Sequence, residues 1–205
     1  METQEDSEPR PLEARDLRQG DIGACTWDAT HNDNLLTVSN AGKTVEWGPR
    51  KAGYHGVHYP PAWVPAKTLL LLHSGTFSLD FVVDDMVNAQ IGVGFLVAFE
   101  RGLLDWGFYG YLGAGSFAWA YDPSTGDVVT GTESIQGGLP TFPGGRTGVV
   151  TLELDLPRRD AGIAHFRIQG QNSRGIALPA GAVVVPAACL LKERQRVTLV
   201  PIRAA

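Results

Sequence analysis

Cysteine is scarce in this sequence, with two residues in a chain of 205. This number excludes a scaffold held together by disulfides, and a chain of this length can bury a sizeable core without them. Cys189 lies in the apolar run VVVPAACLL, so we expect a small buried side chain there rather than a reactive thiol. We expect the same of Cys25, two residues before Trp27.

Positive charge is also in short supply, since 17 Lys and Arg residues face 22 Asp and Glu residues and give a net charge of −5. Nucleic acids bind basic protein surfaces, and anionic membranes attract basic segments. We therefore expect neither a nucleic-acid partner nor a membrane partner. We make no prediction about the oligomeric state.

Long hydrophobic runs and glycosylation motifs are missing as well. The longest clean aliphatic run near the middle of the chain, Leu69–Leu72, is far too short to span a bilayer. Residues 1–20 have no apolar core, so they do not read as a signal peptide. No Asn-X-Ser/Thr motif is present. These features together predict an intracellular, cytoplasmic protein.

What the sequence does contain is glycine, 25 residues in all, with many short alternating segments. This combination favours an all-β fold rich in turns. Residues 1–20 are polar, with two prolines and six acidic residues, and predict a disordered acidic N-terminal tail. Residues 21–205 are predicted to form one folded domain, and no helical stripe of useful length follows residue 20.

The clearest segment runs from Thr147 to Leu178 and alternates between apolar and polar residues over two predicted strands. The dry face carries Leu152, Leu154 and Leu156, then Ala164, Phe166 and Ile168. The wet face carries Thr151, Glu153 and Asp155, then His165, Arg167 and Gln169. Further strands are predicted at Leu35–Ser39, Thr44–Trp47, Lys67–Leu72, Thr76–Val83, Gln90–Phe99, Tyr109–Leu112, Phe117–Tyr121, Asp127–Thr130, Ala182–Val185 and Arg196–Ile202. The four prolines in Pro49–Pro65 predict a long loop.

Three motifs in this order resemble the SPRY domain with its PRY extension, over roughly Trp27 to Ile202. They are WDATHNDNLLTVSNAGKTVEW, HSGTFSLDFVVDDMVNAQIGVGF and GGRTGVVTLELDLPRRDAGIAHFRIQGQNSRGIAL. The resemblance implies a single bent, antiparallel β-sandwich of the concanavalin A-like type. It also implies a protein without enzymatic activity or cofactor, which binds proteins or peptides through loops at one end of the sandwich.

Three fragments suggest chemistry, and each has a simpler explanation. The sequence Ala41-Gly42-Lys43-Thr44 matches the end of a P-loop, but a strand-like segment follows it where a helix is required, which favours a hairpin turn. Glu153 and Asp155 match part of a glycosidase motif but lack its third carboxylate, so a solvated strand face is favoured. His55 and His58 have a spacing that suits a metal, but further ligands are missing nearby. We therefore predict no catalytic residue, no metal site and no cofactor.

Aromatic residues in irregular segments are the remaining candidates for a binding site. Trp, Tyr and Arg contribute much of the energy at protein interfaces, although such rings also cap the cores of sandwiches. Tyr121 belongs to the same group of rings. The predicted partner-binding residues are Tyr54, His55, Tyr59, Trp63, Trp106, Tyr109 and Trp119.

The sequence thus predicts a protein-protein interaction module that acts as an adaptor or as a subunit of an assembly. One alternative is a carbohydrate-binding or carbohydrate-cleaving β-sandwich that stacks sugars on the same rings. Another is a structural subunit whose flat sheet face packs within a larger complex.

Overall fold

The structure is a computed structural model that describes residues 26–28, 36–47, 64–68, 71–84, 91–98, 117–130, 133–142, 147–190, 194–200 and 203–204. These residues form two antiparallel β-sheets packed face to face, and no helix occurs among them. The predicted all-β sandwich is therefore confirmed. The predicted tail, the strand at Tyr109–Leu112 and Cys25 lie outside the described residues.

Fifteen strands occur in the described ranges. In chain order they are β1 (Leu36–Ser39), β2 (Thr44–Trp47), β3 (Val64–Lys67), β4 (Gly75–Asp84), β5 (Gly92–Ala98), β6 (Ala118–Asp122), β7 (Asp127–Thr130), β8 (Glu133–Gln136), β9 (Gly148–Leu156), β10 (Gly162–Ile168), β11 (Gln171–Asn172), β12 (Ile176–Leu178), β13 (Val183–Leu190), β14 (Arg196–Leu199) and β15 (Arg203–Ala204).

The larger sheet has nine strands, of which seven follow the order β1-β2-β14-β4-β9-β10-β11. In the same sheet β12 pairs with β10, and β15 pairs with β4. The smaller sheet has six strands in the order β3-β13-β5-β6-β7-β8. The chain crosses between the sheets several times, so distant segments become neighbours, as in the pairing of β4 with β9.

The hairpin of β9 and β10 forms as the alternation predicted. Leu152 lies opposite Phe166, and both side chains are fully buried on the face toward the other sheet. One residue departs from the pattern: Thr151 was expected on the wet face but is 7% exposed. Its hydroxyl donates to Asp80 Oδ1 at 2.7 Å, so the polar group is satisfied where it lies.

The core between the sheets is organised around Phe166 of β10. Its ring lies 6.1 Å from that of Phe95 on β5 and 6.3 Å from that of Tyr121 on β6, measured between centroids. All three side chains are fully buried. Tilted aromatic pairs at these distances add attraction beyond the burial of apolar surface, so Phe166 ties the larger sheet to the middle of the smaller one.

The strand predicted at Gln90–Phe99 is confirmed as β5. Residues 91–97 are all buried, as an apolar run in a central strand predicts. Gly94 permits the close pairing with β6, since a Cβ atom there would lie 2.0 Å from the Trp119 carbonyl oxygen. Cys189 is buried and not part of a disulfide, as expected.

Two prolines lie in strands that the sequence analysis misplaced. Pro65 was assigned to the long loop but belongs to β3, which is the last strand of its sheet, where a missing N–H is tolerated. Pro186 lies within β13, which continues to Leu190, whereas the sequence analysis ended this strand at Val185. Its carbonyl accepts the Thr68 N–H, so its nitrogen faces the side where β3 has already ended at Lys67.

Other boundaries also differ. The strand predicted at Lys67–Leu72 is wrong in extent, because β3 ends at Lys67 and, among the described residues that follow, Thr68 and Leu72 form isolated bridges. The strand β8 was missed, since ESIQ has three exposed residues and one branched aliphatic side chain. β8 is the edge of the smaller sheet, and Gln136 Oε1 accepts the Arg174 N–H at 2.6 Å, which links the two sheets.

The fragment AGKT is a hairpin turn rather than a phosphate-binding loop. It connects β1 to β2, and Asn40, Ala41 and Gly42 all have positive φ angles of 53°, 52° and 83°. The N–H and indole Nε1 of Trp27 donate to the carbonyls of Gly42 and Lys43, which fixes the turn against the core. The described residues include no helix with the length and apolar character needed to cross a membrane.

Gly126, in the turn after β6, and Gly138, after β8, have similar backbone conformations, but their replacement by alanine should differ in its effect on stability. Gly126 and Gly138 have φ angles of 76° and 80°, but only at Gly126 would a Cβ meet another atom, the Leu139 carbonyl oxygen at 2.2 Å. Replacement of a left-handed glycine by alanine costs about 1 kcal/mol, and a backbone clash costs about 1–3 kcal/mol more. We expect Gly126→Ala to lower the free energy of unfolding in urea by at least about 1 kcal/mol more than Gly138→Ala. Equal losses would contradict the close packing of this turn.

Candidate functional site

Only one of the predicted partner-binding residues falls within the described part of the chain. Trp119 lies on β6, whereas the other six lie in residues 48–63 and 99–116, outside the described residues. Those six are Tyr54, His55, Tyr59, Trp63, Trp106 and Tyr109. The geometry of the site is therefore given by the strands that hold the two loop segments and by Trp119.

The Trp119 ring serves the core and is half-buried. It stacks on Phe95 with a centroid distance of 5.3 Å and an interplanar angle of 18°, and it packs against the main core. Two residues along the same strand, Tyr121 is fully buried and its hydroxyl donates to the Pro140 carbonyl. Phe117, two residues before Trp119, is 49% exposed. Among these three alternate residues, exposure therefore increases from Tyr121 through Trp119 to Phe117.

The described strands next to the two aromatic segments reach opposite ends of the smaller sheet. The segment 48–63 leads into β3, whose first residue Val64 pairs with Leu190 at one end of β13. The segment 99–116 follows β5, whose last residue Ala98 pairs with Val183 at the other end of β13. Val183 and Leu190 are about 24 Å apart in an extended strand.

The end of the sandwich that bears Val64 also carries the turn between β6 and β7. The Asp122 carboxylate accepts the Ser124 N–H at 2.8 Å and the Ser124 hydroxyl at 2.6 Å. The Phe142 N–H donates to the Pro123 carbonyl at 2.9 Å, and the Leu139 N–H donates to Gly126 at 3.1 Å. Burial raises the pKa of Asp122, and the two hydrogen bonds from Ser124 oppose that rise. This turn is a fixed part of the framework.

The residues that had suggested catalysis have structural partners instead. Glu153 Oε1 forms an ion pair with Arg167 Nη2 at 3.1 Å on the outer face of the larger sheet. Asp155, on the same face, is the acceptor for the Thr76 hydroxyl at 3.5 Å. Within the described ranges no group of three or more His, Cys, Asp or Glu side chains is placed to hold a metal ion. His55 and His58 lie outside those ranges.

Known structures share this architecture. The SPRY domain of human HERC1 matches with a TM-score of 0.57 and 15% identity, over 82% of this chain and 92% of that one. The PSpry domain of TRIM65 matches with a TM-score of 0.59 and 16% identity, over 86% and 89%. A human SPRY domain matches with a TM-score of 0.56 and 14% identity, over 80% and 94%.

No protein-family model matches the amino-acid sequence, and no curated protein sequence matches it. The chain nevertheless has the SPRY fold, and the resemblance that the three sequence motifs indicated is confirmed at that level.

The buried Tyr121 phenol predicts a loss of stability at alkaline pH. Burial, and then the charges of Asp122 and Asp127, raise its pKa well above the ordinary value of 10.0. The folded protein thus keeps this proton at pH values where the unfolded chain releases it, and stability falls as pH rises above about 10. We expect Tyr121→Phe to unfold in urea with a smaller decrease in stability between pH 9 and 11 than the wild type.

The Tyr121→Phe comparison has an internal control, because Tyr121→Phe also removes the hydrogen bond to the Pro140 carbonyl. The pH dependence of the free energy of unfolding separates the titration of the phenol from the loss of this hydrogen bond. That loss lowers stability at every pH by about 1 kcal/mol. Identical slopes for the two proteins would show that the phenol titrates normally in the folded state.

Proposed function

We propose that this chain is a protein-protein interaction module without enzymatic activity, acting as an adaptor or as a subunit of an assembly. Its ligand is a short peptide or a protein surface, bound by loops at one end of the sandwich. Segments 48–63 and 99–116 are the two candidates, because the strands that flank them reach opposite ends of the smaller sheet. The candidate contact residues are Tyr54, His55, Tyr59, Trp63, Trp106 and Tyr109, with the exposed part of Trp119. The single observation that supports the proposal most is the SPRY fold of the described residues.

Rigidity of the framework supports this proposal. The strands that flank the two loop segments, β2 and β3 for one and β5 and β6 for the other, are paired within the two sheets. Trp47, the last residue before segment 48–63, packs against the core. A binding segment whose ends are held still loses less conformational entropy on binding than one with free ends.

Residue types in the loops also support it. Segment 48–63 has one Trp and two Tyr residues among its glycines and prolines, and segment 99–116 carries Trp106 and Tyr109. Large rings at irregular surface positions provide much contact area at a low entropic cost. The separate anchoring of the two segments makes each one testable by itself.

The test compares Trp63→Ala with Trp106→Ala in quantitative affinity capture, with the full-length chain as bait. We expect the substitution in the binding segment to reduce capture of specific proteins at least about tenfold, since hot-spot residues cost about 2 kcal/mol or more when truncated, and the other substitution to leave capture unchanged. The matched control is Ile135→Thr on β8, which removes a 42% exposed aliphatic side chain from an edge strand that is contiguous with neither segment in the chain.

Capture profiles of both tryptophan variants that equal the wild type and the Ile135→Thr control would refute these loops as the binding site. A loss caused by one variant alone would assign the ligand to one end of the sandwich. Thermal unfolding of all three variants separates a loss of binding from a loss of folding.

A further inference from the structure

A second surface, distinct from the loops, lies on the outer side of the larger sheet. It is formed by the outward residues of β4, β9 and β10, and we call it the β4–β9–β10 face. Its members are Thr76, Ser78, Asp80, Val82, Asp84, Val149, Thr151, Glu153, Asp155, Ile163, His165 and Arg167. These strands are central in the sheet, so the face is broad and continuous.

Two exposed aliphatic side chains distinguish this face from an ordinary solvated one. Val149 is 45% exposed and Ile163 is 39% exposed, which makes them two of the four exposed large hydrophobic residues in the described part of the chain. Val149 lies directly opposite the half-buried Val82, and Ile163 lies opposite Asp155 on one side and Ala177 on the other. Among the described residues Gly175 lies against Ile163, and both aliphatic side chains still keep more than a third of their surface exposed.

Between the two aliphatic positions the face is negatively charged. Asp80, Glu153 and Asp155 lie there, and the Arg167 guanidinium is within 3.1 Å of Glu153. The fourth carboxylate of the face, Asp84, has Arg196 of β14 at 3.7 Å. Among the described side chains of β4, β9 and β10, carboxylates thus outnumber cationic groups between Val149 and Ile163.

Threonine hydroxyl groups across the β4–β9 pair hold two of these carboxylates in place and approach a third. The Thr147 hydroxyl donates to Asp84 Oδ1 at 2.6 Å, and the Thr151 hydroxyl donates to Asp80 Oδ1 at 2.7 Å. The Thr76 hydroxyl approaches Asp155 Oδ1 at 3.5 Å. Carboxylates fixed by such contacts lose little side-chain freedom when a cation binds, which favours association.

Charge decides which partner fits this surface. A second copy of the chain would bring carboxylates against carboxylates, and a nucleic acid would bring phosphates against them. A protein segment with lysine or arginine residues between two apolar residues complements both the charge and the aliphatic positions. We propose that the β4–β9–β10 face is a docking surface for a basic, extended segment of a partner protein.

The register of the sheet sets the spacing that the partner must have. Val149 and Asp155 lie on β9, about 20 Å apart at 3.4 Å per residue, and Ile163 is the cross-strand neighbour of Asp155. An extended peptide that places one apolar residue over each aliphatic position therefore has these residues six positions apart. If the apolar residues are at peptide positions 1 and 7, positions 3 and 5 point to the same side of the extended peptide. These two positions lie over Asp80 and Glu153.

The probe is an acetylated and amidated octapeptide with valine at its first and seventh positions, lysine at its third and fifth, and serine elsewhere. It is titrated at low ionic strength into the isotope-labelled full chain, and binding is followed by amide chemical shifts. We expect saturable shifts concentrated in β4, β9 and β10. A peptide with glutamate in place of lysine should produce no such shifts, and one with the two valines adjacent should bind about threefold more weakly.

Variants of the face separate charge from apolar contact. Asp80→Asn with Asp155→Asn keeps an oxygen acceptor for each threonine and should weaken binding about tenfold at low salt. Val149→Thr with Ile163→Thr should weaken it about threefold to tenfold. The control, Glu133→Gln with Ile135→Thr, removes a carboxylate and an aliphatic side chain from β8 and should leave the affinity unchanged.

Several results would overturn the docking surface. Shifts centred on other strands or loops, equal binding of the glutamate peptide, no saturable binding, or an equal loss in the β8 control would each do so. Shift dispersion of each variant without peptide shows that it is folded. The loop variants of the proposed function are not involved, so the two proposals stand or fall separately.

Discussion

The contact of Phe166 with Phe95 and Tyr121 is the constraint on which the rest of the molecule depends. It fixes the distance between the two sheets at their centre, and the alternation of side chains along each strand then decides which residues face inward. With Leu152, Leu154 and Ile168 committed to the core, their neighbours must face outward. The polar outer surface of the larger sheet is thus a consequence of the same packing.

Elements with strong local patterns could be predicted from sequence. The hairpin of β9 and β10 alternates without a break, and β5 is apolar on both faces, so each carries its own signal. β8 lacks such a signal because three of its four residues are exposed, and it is a strand only because β7 pairs with it. The strands that contain Pro65 and Pro186 were predicted wrongly for a related reason. A strand tolerates a proline where no neighbouring strand needs its N–H, and the local sequence does not show where neighbouring strands end.

The candidate sites differ in the same way. The sequence alone identified the aromatic residues of the two segments and Trp119 as candidates. The stacking of Trp119 on Phe95 could not be predicted, because it depends on the register of β5 and β6. The alternation of β9 and β10 predicted the outward side chains of Glu153 and Asp155, but not that Asp80 of β4 lies beside them. Asp80 and Thr151 are 71 residues apart in the chain, and only the pairing of β4 with β9 brings them together. Surfaces assembled by long-range pairing require coordinates.

The edge strand β8 has a consequence for how the molecule behaves at high concentration. Four residues offer few backbone groups to a neighbouring strand, Glu133 adds charge, and the hydrogen bond from Arg174 to Gln136 holds the strand's last residue against the other sheet. Long, flat, uncharged edges are the templates on which native proteins polymerise into fibrils. The smaller sheet is thus closed on this side to a further strand, and edge-to-edge growth of one molecule on the next is disfavoured there.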